Sequence, residues 1–337
     1  VAGMLEAGLK GGSPMKYGIL LLAVGAPFGA DAQSIASFVE ERFFQPDLMP
    51  NPQALFRLRA KTTVLPSKAK RWAGCFSRER GEYVREHAKS LARAMKARLS
   101  TSSKKQVVVE TGFLYGKPSI TSALTSLCEA GCDKVVRVPL YPIDYNPTTG
   151  VCLDSSTRIL RSMAASGWRP QVVDVRGFSA NPQVRKAYAA AAKDGWQPKT
   201  TSRLLVAFPS LAKSAPSSPH YFQQIDKFME TFDKAAGLKG ERLKAAYMCD
   251  YDNDKWFGPF AEKTLRGWAS GAVNDVRVIL PMSLFEGPEL AVDARVGLVH
   301  YFEANANGLN PKLTVITNVL ERPDFIEALC AAIRKVL

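Results

Sequence analysis

The chain has 337 residues, enough for one large domain or two halves of ordinary size. Hydrophobic residues make up 46% and charged residues 23%, which supports a buried core, and no apolar run reaches the length of a membrane span. The net charge of +14 favours anionic partners, but the basic residues are spread along helical stretches without an aromatic-interleaved basic strand pair, so nucleic acid is not the expected partner.

Residues 1–14 are Gly-rich and without periodicity; they read as an expression scar, with Met15 as the natural start. Beyond them, short apolar or β-branched runs alternate with longer amphipathic stretches. The predicted strands are 18–24, 107–113, 134–139, 172–175, 204–208, 244–248, 276–280 and 313–316. Predicted helices between them include 34–43, 80–99, 119–130, 155–166 and 221–236. Uninterrupted apolar strands alternating with helices predict an α/β fold with parallel sheets covered on both faces.

The pattern also repeats. Asp133 leads into the proline-ended strand Lys134–Pro139, and Asp275 leads into Val276–Pro281, about 142 residues later. Asn181-Pro182-Gln183 and Arg322-Pro323-Asp324 recur at an offset of 141. Two matches at nearly one offset predict two similar doubly wound, Rossmann-like halves, 15–170 and 171–337. Ligands of such sheets bind in the cleft at the carboxyl ends of the strands.

Several chemistries lack their residues. No GxGxxG follows a strand, and neither GxxxxGK(S/T) nor HExxH occurs. The three histidines, His87, His220 and His300, have no second His or Cys at zinc-ligand spacing. Cys75, Cys128, Cys132, Cys152, Cys249 and Cys330 form no CxxC pair and read as reduced thiols of a soluble intracellular protein. Asp250-Tyr251-Asp252-Asn253-Asp254 opens like a calcium loop, but Lys255 and Ala261 stand where Gly and Glu are needed, so a solvated acidic turn is expected.

The segments after the strands carry a resemblance. Leu22-Ala23-Val24-Gly25-Ala26-Pro27 is similar to L-N-x-G-G-P, and Tyr115-Gly116-Lys117-Pro118-Ser119-Ile120 to Y-G-N-P-S-I. Leu140-Tyr141-Pro142 followed by Thr148-Thr149-Gly150 matches L-Y-P-Q-Y-S-x-S-T-T-G without a gap. Trp256-Phe257-Gly258-Pro259 resembles W-L-x-P, and Asn318 to Leu329 resembles L-N-D-x-P-x-F-I-x-A-L. In this order they resemble the ferrochelatases, and the resemblance implies a two-half chelatase fold with a tetrapyrrole in its cleft. It implies Val24, Ser77, Tyr115, Tyr141, Cys249, Trp256, Ser283 and Glu286 as porphyrin-binding positions, with Glu289 as the retained catalytic acid.

The resemblance also marks losses. Ferrochelatases place their metal-inserting histidine in S-A-H-G-L-P, and Pro209 of Ala207-Phe208-Pro209-Ser210-Leu211 occupies that position. Proline supplies no base and no donor. The arginine preceding the family's tyrosine is Leu114, and the basic run K-R-R-T-P-K falls on Ala60 to Leu65, which retains only Lys61. The single C-terminal cysteine leaves an iron–sulfur cluster without ligands, so no cofactor is expected. The reading that fits these losses is a protein that binds free-base porphyrin (protoporphyrin or coproporphyrin) with ferrous insertion lost or crippled. A working ferrochelatase of heme biosynthesis using Glu289 is the alternative, with His220 as the nearest imidazole. A binding module for no tetrapyrrole is the third.

Overall fold

The computed structural model describes residues 15–27, 29, 31–43, 54–75, 78–103, 105–215, 218–238, 240–248, 255–271, 273–281, 285, 287, 289–307 and 310–337. The chain forms two four-stranded parallel sheets. The first holds β1 (Lys16–Gly25), β2 (Gln106–Tyr115), β3 (Lys134–Pro139) and β4 (Gln171–Asp174) in the order β2-β1-β3-β4. The second holds β5 (Ser202–Pro209), β6 (Leu243–Met248), β7 (Asp275–Ile279) and β8 (Lys312–Ile316) in the corresponding order β6-β5-β7-β8. All eight predicted strands form. Ile19 to Leu22 and Leu204 to Phe208 are fully buried, because helices cover both faces of the central strands.

Helices α1 (Ala32–Phe43), α2 (Ala54–Arg59), α3 (Leu65–Cys75) and α4 (Arg78–Ser103) lie between β1 and β2, and α5 (Ile120–Glu129) precedes β3. The Ser119 hydroxyl caps α5 by accepting from the Ser122 N–H at 3.1 Å. α6 (Val151–Ala165) leads to β4, α7 (Pro182–Lys193) joins the sheets, and α8 (Ser218–Ala236) separates β5 from β6. α9 (Ala261–Ala269), α10 (Val299–Asn305) and α11 (Pro323–Arg334) complete the second half. α7 and α11 both open on proline, which costs no hydrogen bond in a first helical turn. Among the described residues no helix is long and apolar enough to cross a membrane.

The strand register corrects two sequence expectations. β4 pairs with β3 from Lys134↔Gln171 to Arg137↔Asp174, so residues 171–174 close the first half instead of opening the second. A parallel partner arrives through a crossover helix, and the run 172–175 does not show which sheet receives it. The proline-ended strands also superpose one residue earlier than their prolines suggest. Lys134 pairs with Gln171 as Asp275 pairs with Lys312, an offset of 141 that β3/β7, β4/β8 and α7/α11 share.

The halves differ in their connections. Ala23 pairs with Phe113 as Phe208 pairs with Tyr247, but 90 residues separate the first pair and 39 the second. The surplus is α1 to α3, which no counterpart among the described residues of the second half matches. The next loop reverses the imbalance. The Phe113 N–H donates to Pro118 O and the Tyr247 N–H to Pro259 O, each at 2.8 Å, the partners standing five positions apart in the first half and twelve in the second.

Candidate functional site

A cavity of about 470 Å³ lies where β1 and β5 end, within the usual range for a small-molecule site. Its floor is Val24 and Gly25 from the first sheet and Pro209 and Ser210 from the second. By register Val24 and Pro209 are counterparts, one residue beyond the pairs Ala23↔Phe113 and Phe208↔Tyr247. Gly25 must be glycine: its φ is +86°, and a Cβ there would stand 2.1 Å from the Tyr115 carbonyl oxygen.

Phenols fix this floor. The buried Val24 N–H donates to the Tyr141 hydroxyl at 2.7 Å. Pro209 has no N–H to satisfy, and its carbonyl instead accepts from the Tyr221 hydroxyl at 2.8 Å. The Tyr145 hydroxyl donates to Ser210 O at 3.2 Å, and the Ser210 hydroxyl to Phe257 O at 2.8 Å. Burial raises the Tyr221 phenol well above its ordinary range and pushes Tyr247 up to about 12, Asp226 adding to the latter. Both rings therefore stay protonated at neutral pH, and Tyr221 serves as a donor, not a base.

The walls come from unequal sources. The long β1–β2 connection contributes Val39, Arg42, Lys68, Arg71 and Trp72, and the second half contributes Trp256, Phe260, Lys263, Arg266 and Tyr301. Among the described lining residues five cations thus face two carboxylates, Glu262 and Asp293, an imbalance suited to an anionic ligand with an extended apolar body. Asp293 belongs to a π-helical segment, Glu289–Leu298, at the second half's edge of the cleft.

The structure places the sequence-derived positions as follows. Val24, Tyr141, Pro209 and Trp256 line the cleft together. Tyr115 is absent from the lining; it stands at the end of β2 with its ring edge-on to Phe38, centroids 5.1 Å apart. Ser77, Cys249, Ser283 and Glu286 lie outside the described residues, as does the acidic run 250–254. The backbone of Glu289 opens the π-helical segment, but its side chain also lies outside them. His220 is exposed on α8, and none of the three histidines is among the described lining residues. Among the described residues no group of three or more His, Cys, Asp or Glu gathers as a metal site.

Sequence reasoning missed the cleft cations. Lys68 and Arg71 are spaced i, i+3 on α3, as are Lys263 and Arg266 on α9, a one-face signal that reads equally as a solvated helix surface.

Comparison with known proteins agrees with this architecture. A family model described as Ferrochelatase matches residues 16–337. A ferrochelatase of Azoarcus sp. (strain BH72) is 25% identical over 98% of this chain and 90% of its own length. A ferrochelatase of Bordetella pertussis is 26% identical over 80% of this chain and 74% of its own. Among solved structures, SirB from Bacillus subtilis with Fe3+ superposes with a TM-score of 0.58 at 14% identity, covering 95% of both chains. The cobalt complex of the sirohydrochlorin chelatase SirB gives 0.55 over the same shares. At this identity the structural likeness shows the two-half chelatase fold.

Proposed function

The chain belongs to the ferrochelatase family, and from that membership we propose that it binds a free-base porphyrin between its halves while its insertion of ferrous iron is lost or strongly reduced. Insertion exchanges two pyrrole N–H protons for one Fe2+, so it requires a proton acceptor at the ring nitrogens and a route for the metal. Neutral imidazole suits both tasks. The observation that carries the reading is Pro209, which lies in the cleft floor at the end of β5, at the position where the resemblance puts the inserting histidine.

Two other described groups of the cleft, Tyr247 and Asp293, do not replace that base. The Tyr247 phenol is pushed up to about 12 and holds its proton. Asp293 is engaged by Arg71 and Trp72 at 2.7 and 3.0 Å. Glu289, carried over from the family pattern, and Glu262, exposed in the lining, are the remaining candidate acids. Loss of one positioned general base lowers a rate ~10²–10⁴-fold. The aromatic walls and the cationic excess support binding of a large planar carboxylic acid independently of any insertion.

Two measurements test this. Protoporphyrin or coproporphyrin titrated into micromolar protein should shift the Soret band; no absorbance or fluorescence change with either would remove tetrapyrrole binding altogether. Anaerobic initial rates with ferrous iron should fall at least ~10²-fold below those of an ordinary ferrochelatase, and Pro209→His should raise them more than any other single change. A wild-type rate typical of the family, abolished by Glu289→Gln and indifferent to position 209, would establish a working enzyme instead.

A further inference from the structure

The segment that the family pattern assigns to the basic edge, Ala60 to Leu65, carries one cation, Lys61, and that lysine is paired with Glu40 at 2.5 Å. The cations that do reach the cleft from this half stand further along, on α3. Lys68 and Arg71 share a helix face, and both meet Asp293, which the π-helical segment brings from the second half. Arg71 Nη2 donates to Asp293 Oδ1 at 2.7 Å, Trp72 Nε1 donates to the same oxygen at 3.0 Å, and Lys68 Nζ stands 3.6 Å from Oδ2. Lys68 Nζ also lies 4.9 Å above the Trp72 ring. The side chains of Lys68 and Asp293 are only 15% and 14% exposed, whereas that of Arg71 is 54% exposed.

Resting on the tetrapyrrole reading, we propose that Lys68 and Arg71 form a relocated carboxylate-binding edge, and that Asp293 is the internal carboxylate against which the ligand's own carboxylate competes. A guanidinium carries five N–H donors in a fixed fork, and Asp293 engages one nitrogen of Arg71. Arg71 lines the cleft with its side chain 54% exposed, and the remainder of its fork accommodates a second carboxylate. Lys68 and Trp72 hold the fork's inner partner in place, so the edge is organised before the ligand arrives. Asp293 thus plays two opposed parts: its oxygens orient the cations, and its charge repels the incoming anion. An amide at this position keeps the acceptor for Trp72 and Arg71 and removes the repulsion.

The test is absorbance titration with coproporphyrin and with its tetramethyl ester, in the same detergent, for the full chain and three variants. Arg71→Gln should weaken binding of the free acid ~10-fold or more while leaving the ester nearly unchanged, as loss of a charged hydrogen bond implies. Lys68→Gln should act in the same direction. Asp293→Asn should tighten the free acid ~3-fold and leave the ester unaffected, the size of a modest ion-pair effect. Equal weakening of acid and ester by Arg71→Gln, or weaker acid binding in Asp293→Asn, would show the cluster to be a structural clamp and overturn the proposal. Wild-type protein that binds neither form would overturn the tetrapyrrole reading itself, whereas binding insensitive to all three variants overturns the relocated edge alone.

Discussion

The two halves build one frame and finish it with different chemistry. In the first sheet β3 and β4 are joined by Arg137, whose Nε and Nη2 donate to the two Asp174 oxygens at 2.7 and 2.9 Å. Its Nη1 reaches Leu153 O, Ser156 Oγ and Thr157 Oγ1. The same register position in the second sheet is Val278↔Val315, an apolar pair. The strand ends diverge likewise: Val24 needs an acceptor for its N–H and finds Tyr141, whereas Pro209 has no N–H and offers only a carbonyl. The pairing of strands is therefore indifferent to which solution fills a position. Ion pair or valines, secondary amide or proline's tertiary amide, the strand pairing is kept while the chemistry at the position changes.

The largest effect that probes this comparison belongs to Arg137. Arg137→Val alone should cost ~3–5 kcal/mol in denaturant unfolding, because it leaves a partly buried carboxylate uncompensated. Converting the pair to its second-half counterpart, Arg137→Val with Asp174→Val, should restore stability to within about 1 kcal/mol of wild type, as apolar replacement of a buried ion pair often does. If the double variant remains as unstable as the single one, the two frames are not interchangeable at this position. A smaller effect is expected at the first strand end. Tyr141→Phe strands the buried Val24 N–H and should cost ~1–3 kcal/mol by the same measurement. The smallest is Tyr221→Phe, about 1 kcal/mol, since the half-buried Pro209 carbonyl loses one donor and no N–H is orphaned. Equal losses in the two phenylalanine variants would mean that amide satisfaction is not what distinguishes the strand ends.

Much of the frame was legible in the sequence because buried parallel strands are continuous apolar runs, and all eight stand within a few residues of their expected places. Of the surplus helices α1 was, expected at 34–43, but α2 and α3 were not. Residues 54–75 carry Arg57, Arg59, Lys61, Lys68, Lys70 and Arg71 around Pro66, which blurs any apolar stripe, and the π-helical turns at Ala60–Val64 and Glu289–Leu298 break the 3.6-residue period on which helix reading depends. Of the site, Val24, Tyr141, Pro209 and Trp256 could be found because each falls in a family motif, Val24 and Pro209 at the ends of β1 and β5 and Tyr141 and Trp256 beyond β3 and β6. The cleft cations could not, since their contribution depends on how the helix packs. Tyr115 shows the converse, a motif residue whose ring packs edge-on against Phe38.

The unequal connections also bear on time. Closing a chain segment costs entropy that grows with the logarithm of its length, so bringing β1 to β2 across 90 residues costs roughly 0.7 kcal/mol more than bringing β5 to β6 across 39. Non-local pairing slows assembly, and the first sheet carries the more distant contacts. In refolding, amides of the second sheet should become protected first. Trp72, Lys68 and Arg71 all sit within the longer connection, so the cleft acquires its first-half wall only after its floor at Pro209 is already in place.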